Sequence, residues 1–202
     1  MTSDSDLAGP SPRSHRDYYT ALYQAAMTIS SSLELPEVLQ SVVKSITEAM
    51  QVKACGLRLL DRRTGQLQLS AVHGLSSGYL AKGPVEVEHS PIDSEALCGK
   101  TVIIPDVSVD SRFQYKEAAK REGIVSVLCV PLEVRGEAIG VLRVYTDEPC
   151  TFHEDDIQFL SVLASLAGLA IANANLYASL KNSYDGVMDV LWGSSLQYTD
   201  SK

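Results

Sequence analysis

Two guanidinium groups stand inside otherwise apolar runs: Arg58 in ACGLRLLD (54–61) and Arg143 in EAIGVLRVY (137–145). A guanidinium among aliphatic residues must find an anion or reach water, because an unpaired buried charge is strongly unfavourable. Two outcomes are open. Each pairs with a carboxylate of this chain, from Glu133, Glu137 or a helix, or one of them reaches an anionic ligand, for which its planar fork of donors is suited. Thiol chemistry is the other resource. Cys55, Cys98, Cys129 and Cys150 lie far apart, with no Cys-x-x-Cys pair and no His at ligand spacing. Zinc is therefore not indicated, and Cys55 and Cys129, inside apolar runs, read as buried, inert thiols. His73 and His89 likewise have no partners at ligand spacing.

These residues must be positioned by the elements around them. Residues 101–145 read as strand, loop, short helix and hairpin: the run Val102 to Ile104 stops at Pro105-Asp106, and a short helix follows over Tyr115 to Glu122. The β-rich runs Ser126 to Leu132 and Glu137 to Tyr145 meet at Arg135-Gly136, where Gly136 supplies positive φ. Upstream, Ala54 to Asp61 is apolar on both faces and reads as a central strand. Gln66 to Val72 alternates polar and apolar residues and belongs near a sheet edge. Residues 74–100 carry turn residues and yield one short helix, Pro91 to Cys98, with Ser90 as its cap.

Helices flank this sheet. Tyr19, Leu22, Tyr23, Ala26 and Met27 recur at spacings of three and four, giving a first helix over 16–33. Pro36 opens a second, over 36–50, at a position where its missing N–H costs nothing. Thr151-Phe152-His153-Glu154 reads as a capping box, with Asp155 and Asp156 in the first turn, so a long helix starts there. Its apolar spacing runs to about Tyr184, where Asp185-Gly186 weakens it. Residues 1–15, rich in Ser, Asp, Pro and Gly, read as a disordered tail, and 185–202 as a tail or short signalling helix.

With 202 residues, 45% hydrophobic and 21% charged, the chain fits one globular domain (16–184) plus tails. Its net charge of −8 and pI near 5.0, without a basic cluster, argue against a nucleic-acid partner. No run reaches the roughly 18 consecutive apolar residues of a membrane helix. The N-terminus has no hydrophobic signal region. A cytoplasmic protein without a membrane partner is the expectation.

The order of features resembles the core of GAF domains, the small-molecule-sensing modules of signalling proteins. The matching residues are Gly99-Lys100, an apolar strand and Pro105-Asp106-Val107; then Asp110-Ser111-Arg112-Phe113; then Arg121-Glu122-Gly123-Ile124 with Ser126, Leu128 and Val130-Pro131-Leu132; then Gly136-x-Ala138-Ile139-Gly140-Val141-Leu142. The fold implied is α/β in the α+β sense: a three-layer sandwich with a central antiparallel sheet of five or six strands. Helices 16–33, 36–50 and 152–184 would cover one face, and segment 74–125 would wall a pocket on the other. The first and last long strands would then be neighbours, bringing Arg58 and Arg143 together.

The resemblance implies ligand contacts from Arg58, Cys98, Asp106, Phe113, Tyr115 and Ser126. Each has an ordinary structural use as well. Asp106 after a strand can close an Asx turn, Asp110 can cap a turn, and Phe113 and Tyr115 can simply fill the core. Bilin-binding members carry a Cys beside a His over the pocket; this chain has Arg112-Phe113-Gln114-Tyr115 there. Free methionine-R-sulfoxide reductases carry a Cys-Gly that Cys98-Gly99 resembles, but residues 99–128 hold no second cysteine to complete a sulfenic acid and disulfide cycle. The Asn-Lys-Phe-Asp-Glu pattern of cyclic-nucleotide-binding members is matched only at Phe152 and Asp155-Asp156. The expectation is thus a non-catalytic sensor of an unidentified small molecule, with no cofactor named by any motif and a signalling partner protein downstream. A Cys98-dependent redox enzyme or thiol sensor and a ligand-free dimerisation module are the alternatives. Leu163, Leu166, Leu169, Leu176 and Leu180 spread over more than one face of the last helix, as do Leu22, Tyr23, Met27 and Ile29 on the first. A homodimer through helices 16–33 and 152–184, forming a four-helix bundle, follows as an expectation.

Overall fold

Alternation of side chains along the strands gives the sheet two different apolar faces, and the rest of the chain covers both. The structure is a computed structural model and describes residues 15–32 and 34–196. Its strands are β1 (Ala54–Asp61), β2 (Gln66–His73), β3 (Val85–Glu86), β4 (Val102–Ile104), β5 (Ser126–Val134) and β6 (Glu137–Thr146). They form one six-stranded sheet in the order β3-β2-β1-β6-β5-β4, antiparallel at every pairing. β1 and β6 are therefore adjacent and central. The β5–β6 turn carries Arg135 at φ 54° and Gly136 at φ 79°, so both central residues are left-handed, the geometry whose twist matches the flanking strands.

One face packs on α1 (His15–Ser31), α2 (Leu35–Ala49) and α6 (Glu154–Leu196). Leu57, Leu128, Leu142 and Val144 from the sheet meet Val42, Ile46, Leu160 and Leu163 there, all completely buried. Tyr18 of α1 stacks on Phe159 of α6 with ring centroids 4.0 Å apart, and its hydroxyl donates to Asp156. The approach of α6 to β5 is close enough that a Cβ on Gly168 would lie 2.4 Å from the Glu133 carbonyl oxygen. The opposite face packs on α3 (Ser77–Leu80), a 3-10 turn at Val87–His89, α4 (Pro91–Leu97) and α5 (Lys116–Glu122). An α+β three-layer architecture results, with all six strands in one sheet.

Two local readings change. The start of α6 is capped by Asp156, whose carboxylate accepts from the His153 amide at 2.8 Å; the helix begins at Glu154, so the Thr151–Glu154 box does not form. The helix also runs through Asp185-Gly186 to Leu196 rather than ending near Tyr184. One helical glycine costs only about 1 kcal/mol relative to alanine, which the residues on either side outweigh. By length and composition α6 is apolar enough to cross a membrane, yet Leu160, Leu163, Ala164 and Ala167 in its first half are buried against the sheet and α2. Of the expected N-terminal tail, 1–15, residues 1–14 lie outside the described residues while His15 already belongs to α1, and the side chains of Leu191 and Trp192 lie outside the described residues as well.

Candidate functional site

The face of the sheet away from the long helices carries charge. Ala54, Gly56 and Arg58 of β1 lie beside Val141, Arg143 and Tyr145 of β6, with Gly56 directly opposite Arg143 in register. Arg58 and Arg143 are 4% and 5% exposed, so whatever partners them lies inside the protein. Arg58 Nη1 donates to the Leu67 carbonyl at 3.3 Å. Arg143 forms an ion pair with Asp93 of α4, which is 0% exposed. Of the carboxylates considered from sequence, a helix carboxylate takes the role; Glu137 instead pairs with Arg62 at the surface, at 2.6 Å.

The Arg143–Asp93 pair is in contact without hydrogen-bond alignment. Among the described residues, Arg143 Nε and Nη2 and Asp93 Oδ1 have no hydrogen-bond partner, while Asp93 Oδ2 accepts from the Ser90 hydroxyl at 2.6 Å. Ser90 thus orients Asp93 rather than capping α4 with its side chain. Burial works against the charge on Arg143, and Asp93, Cys129 and Tyr145 together outweigh it, holding the guanidinium protonated far above any physiological pH. Tyr145 meets Tyr79 of α3 edge to face at 6.3 Å, and burial raises both phenols, that of Tyr79 well above its usual range. The Tyr79 hydroxyl, in a residue 3% exposed, also has no partner among the described residues.

Lys82 closes this cluster from the loop after α3. Its ammonium sits 3.7 Å from the Tyr79 ring centroid and 4.5 Å from that of Tyr115, a cation–π clamp between α3 and the residue that precedes α5. Desolvation, reinforced by Arg143 and Arg58, lowers its pKa to about 7. Glu122, at the end of α5, accepts from the backbone amide of Ser76 at 2.7 Å and from its hydroxyl, tying α5 to α3.

The residues singled out from sequence divide into two groups. Arg58, Phe113 and Tyr115 belong to this second core, Phe113 buried and Tyr115 half-buried beneath Lys82. Asp106 accepts from the Ser108 amide at 2.8 Å in an Asx turn, and that hydrogen bonding lowers its pKa. The Ser126 hydroxyl donates to the Pro105 carbonyl at 2.7 Å and accepts from the Cys150 amide at 3.0 Å, stapling the β5 and β6 ends. Cys98 is exposed at the end of α4. Asp110 and Arg112 grip each other through two hydrogen bonds of 2.8 and 3.1 Å, and Arg112 also reaches the Ile103 carbonyl and Glu95. Burial raises the thiols of Cys55 and Cys129, the latter to about 11. Sequence reasoning missed Asp93, Tyr79, Lys82 and Tyr145. The signal for Asp93 was Arg143 itself, whose place in an apolar strand demanded an anion.

The fold has many solved counterparts. It superposes on the GAF domain of a phosphoenolpyruvate-protein phosphotransferase from Coxiella burnetii with a TM-score of 0.73 at 22% identity, covering 81% of this chain and 98% of that one. On free methionine-R-sulfoxide reductase from Neisseria meningitidis, in complex with its substrate, the TM-score is 0.68 at 21% identity, over 82% and 96%. In sequence the chain is 28% identical over 176 residues to a methyl sulfide methyltransferase-associated sensor of Methanosarcina acetivorans, 81% of this chain and 18% of that protein. It spans less than a third of the length of the curated relatives it matches. The family model for the GAF domain matches residues 34–171, and the chain belongs to that family.

Proposed function

We propose that this chain is a non-catalytic sensory module that binds a small molecule on the second-core face and passes occupancy to other proteins through its terminal helices. The observation that carries the reading is the pair of buried polar atoms without hydrogen-bond partners among the described residues, Arg143 Nε and Tyr79 Oη, beneath a roof of short elements. A core built only for stability satisfies such groups or omits them. Names of relatives as a sensor and as Nif-specific regulatory proteins agree with a regulatory role. The four cysteines are all free thiols, which supports a reducing, cytoplasmic setting.

The same proposal includes a homodimer. Tyr19, Tyr23 and Met27 on α1 and Leu169, Leu176 and Tyr177 on α6 are all more than half exposed. This apolar surface suits a bundle of α1 and α6 with their symmetry mates, along which a shift of the sheet would travel. Native mass spectrometry of the freshly purified protein, compared with its denatured mass, tests the ligand. Hydrogen exchange then follows residues 74–125, which gain protection when ligand is added. No bound mass, no stabilising metabolite and unchanged exchange would transfer the reading to a dimerisation module without ligand.

A further inference from the structure

We infer that Tyr79 is a built-in occupant of the ligand site: α3 swings outward between Gly74 and Gly83, and a free aromatic molecule the size of phenol takes the place of the Tyr79 ring. The inference rests on the sensor reading and names both its ligand class and its gate. Within residues 75–82 Tyr79 alone is buried, at 3% exposure, while Ser76, Ser77, Gly78 and Ala81 are exposed. Among the described residues, the hydrogen bonds that this segment makes outside itself are those of the Ser76 amide and hydroxyl to Glu122. The second latch is the Lys82 ammonium over the Tyr115 ring. A segment that buries one side chain and holds by such latches belongs to the low-stability end of a fold. Its ends are glycines in the left-handed region, at φ 85° for Gly74 and 80° for Gly83. A Cβ on Gly74 would lie 2.2 Å from the Lys53 carbonyl oxygen, and one on Gly83 would meet nothing within 4 Å, so Gly74 is the fixed end and Gly83 the free one.

Tyr79 shows what the place accepts and where it fits badly. Its ring meets the Tyr145 ring edge to face at 6.3 Å, a favourable aromatic arrangement. Its hydroxyl, carried to a fixed depth by the backbone, has no hydrogen-bond partner among the described residues, and that unmade bond weakens the closed state. A free ring has no such tether and can set its oxygen against a donor. Arg143 Nε, two positions before Tyr145 on β6, is a buried donor without a partner among the described residues, and the Asp93 contact is made at Nη2 and leaves Nε untouched. The space that one tyrosine ring vacates is comparable to the cavity of about 150 Å³ that holds benzene in an engineered protein core. The ligand class is therefore a single aromatic ring bearing one oxygen acceptor, a phenol or its like.

The test is amide hydrogen exchange on the full chain, with p-cresol, which copies the tyrosine side chain, as the probe. A four-residue helix does not persist off the body of the protein, so the amides of Ser76, Tyr79, Leu80 and Ala81 exchange when α3 opens. They should do so at least a hundredfold faster than global unfolding allows, the limit set by the central amides of Leu57 and Leu142. Glu122→Ala removes the Ser76 latch and should speed the α3 amides about tenfold, with those of Leu57 and Leu142 unchanged. It should also tighten p-cresol, followed by the shift of the Tyr145 amide, by the same factor, because apparent affinity scales with the open fraction. Tyr79→Phe deletes the unpartnered hydroxyl, so it should slow the α3 amides and weaken p-cresol. A merely structural Glu122 would give the opposite sign, with looser binding when it is removed. Amides of α3 as slow as Leu57 and Leu142, faster exchange in Tyr79→Phe, or no saturable binding of millimolar p-cresol to Glu122→Ala would overturn the gate. Native mass spectrometry of the same preparation keeps the two readings apart, since a bound small molecule beside a locked α3 leaves the sensor reading standing with another site of entry.

Discussion

Arg143 of the central strand β6 and Asp93 of helix α4 form a buried ion pair that fastens the roof of the second core to its floor. Asp93→Ala leaves the guanidinium buried without its counter-charge, a loss of about 3–5 kcal/mol for pairs of this kind. Urea unfolding should show that drop with an unchanged slope. A change below about 1 kcal/mol would mean that water reaches Arg143 in solution.

Lys82 makes stability depend on pH in a defined direction. Its folded pKa, about 7, is below the ordinary 10.5, so between these values the unfolded chain holds a proton that the folded one has released. Stability from this group is therefore full above about pH 10.5 and is lost as pH falls toward 7. The groups facing it are Tyr79 on α3, Tyr115 before α5, Arg58 on β1, Arg143 on β6, Asp93 on α4 and Glu122 on α5. The melting temperature of the wild type relative to Lys82→Met should rise from pH 7 to 9.5. A constant difference would show that Lys82 stays fully charged across that range.

Close backbone approaches give a packing test. Gly140→Ala and Gly168→Ala each drive a methyl group into a neighbouring backbone carbonyl and should cost about 1–3 kcal/mol or more, even though alanine favours the helix at 168. Gly56→Ala should stay within about 0.5 kcal/mol of wild type, since its methyl meets only the edge of Tyr145. Equal costs at 56 and 140 by thermal unfolding would contradict the ordinary contact that a methyl at 56 makes with Tyr145.

Thiol labelling separates the cysteines. At pH 8 an aromatic disulfide reagent should modify Cys98 at once in the folded protein and reach Cys55 and Cys129 only on unfolding, because burial raises both of those thiols. Reduction of free methionine sulfoxide with a thiol reductant should be absent. Turnover that is lost in Cys98→Ser would replace the sensor reading with the redox enzyme.

For the dimer, substitutions belong on exposed positions. Leu163, completely buried, would unfold the domain if charged, whereas Leu176 and Leu180 are 59% and 61% exposed. Sedimentation equilibrium should show a dimer at tens of micromolar that Leu176→Glu with Leu180→Glu converts to monomer at unchanged helicity. A wild-type monomer would remove the bundle from the proposal.

What the sequence determined by itself was whatever a local period or turn specifies. The doubly apolar run of β1, the alternation of β2, the β-rich runs of β5 and β6 about the Arg135-Gly136 hairpin, and the stripes of α1, α2 and α6 all follow from local composition, turn residues and side-chain spacing of two or three to four. The need of Arg143 for an anion was equally legible, since it follows from solvation alone. Which anion it meets was not. Asp93 is one of many carboxylates in an acidic chain, and only the packing of α4 on β5 and β6 brings it there with 0% exposure. The same holds for Lys82, which looks like a solvated loop lysine until Tyr79 and Tyr115 close around it. Ser126 and Asp106 read equally well as ligand contacts or as turn and staple residues, and their hydroxyl and carboxylate are engaged by Pro105, Cys150 and Ser108. Periodicity is carried by neighbours in the chain, but burial, and with it the strength of every charge and the fate of every hydrogen bond, depends on contacts between residues far apart in sequence.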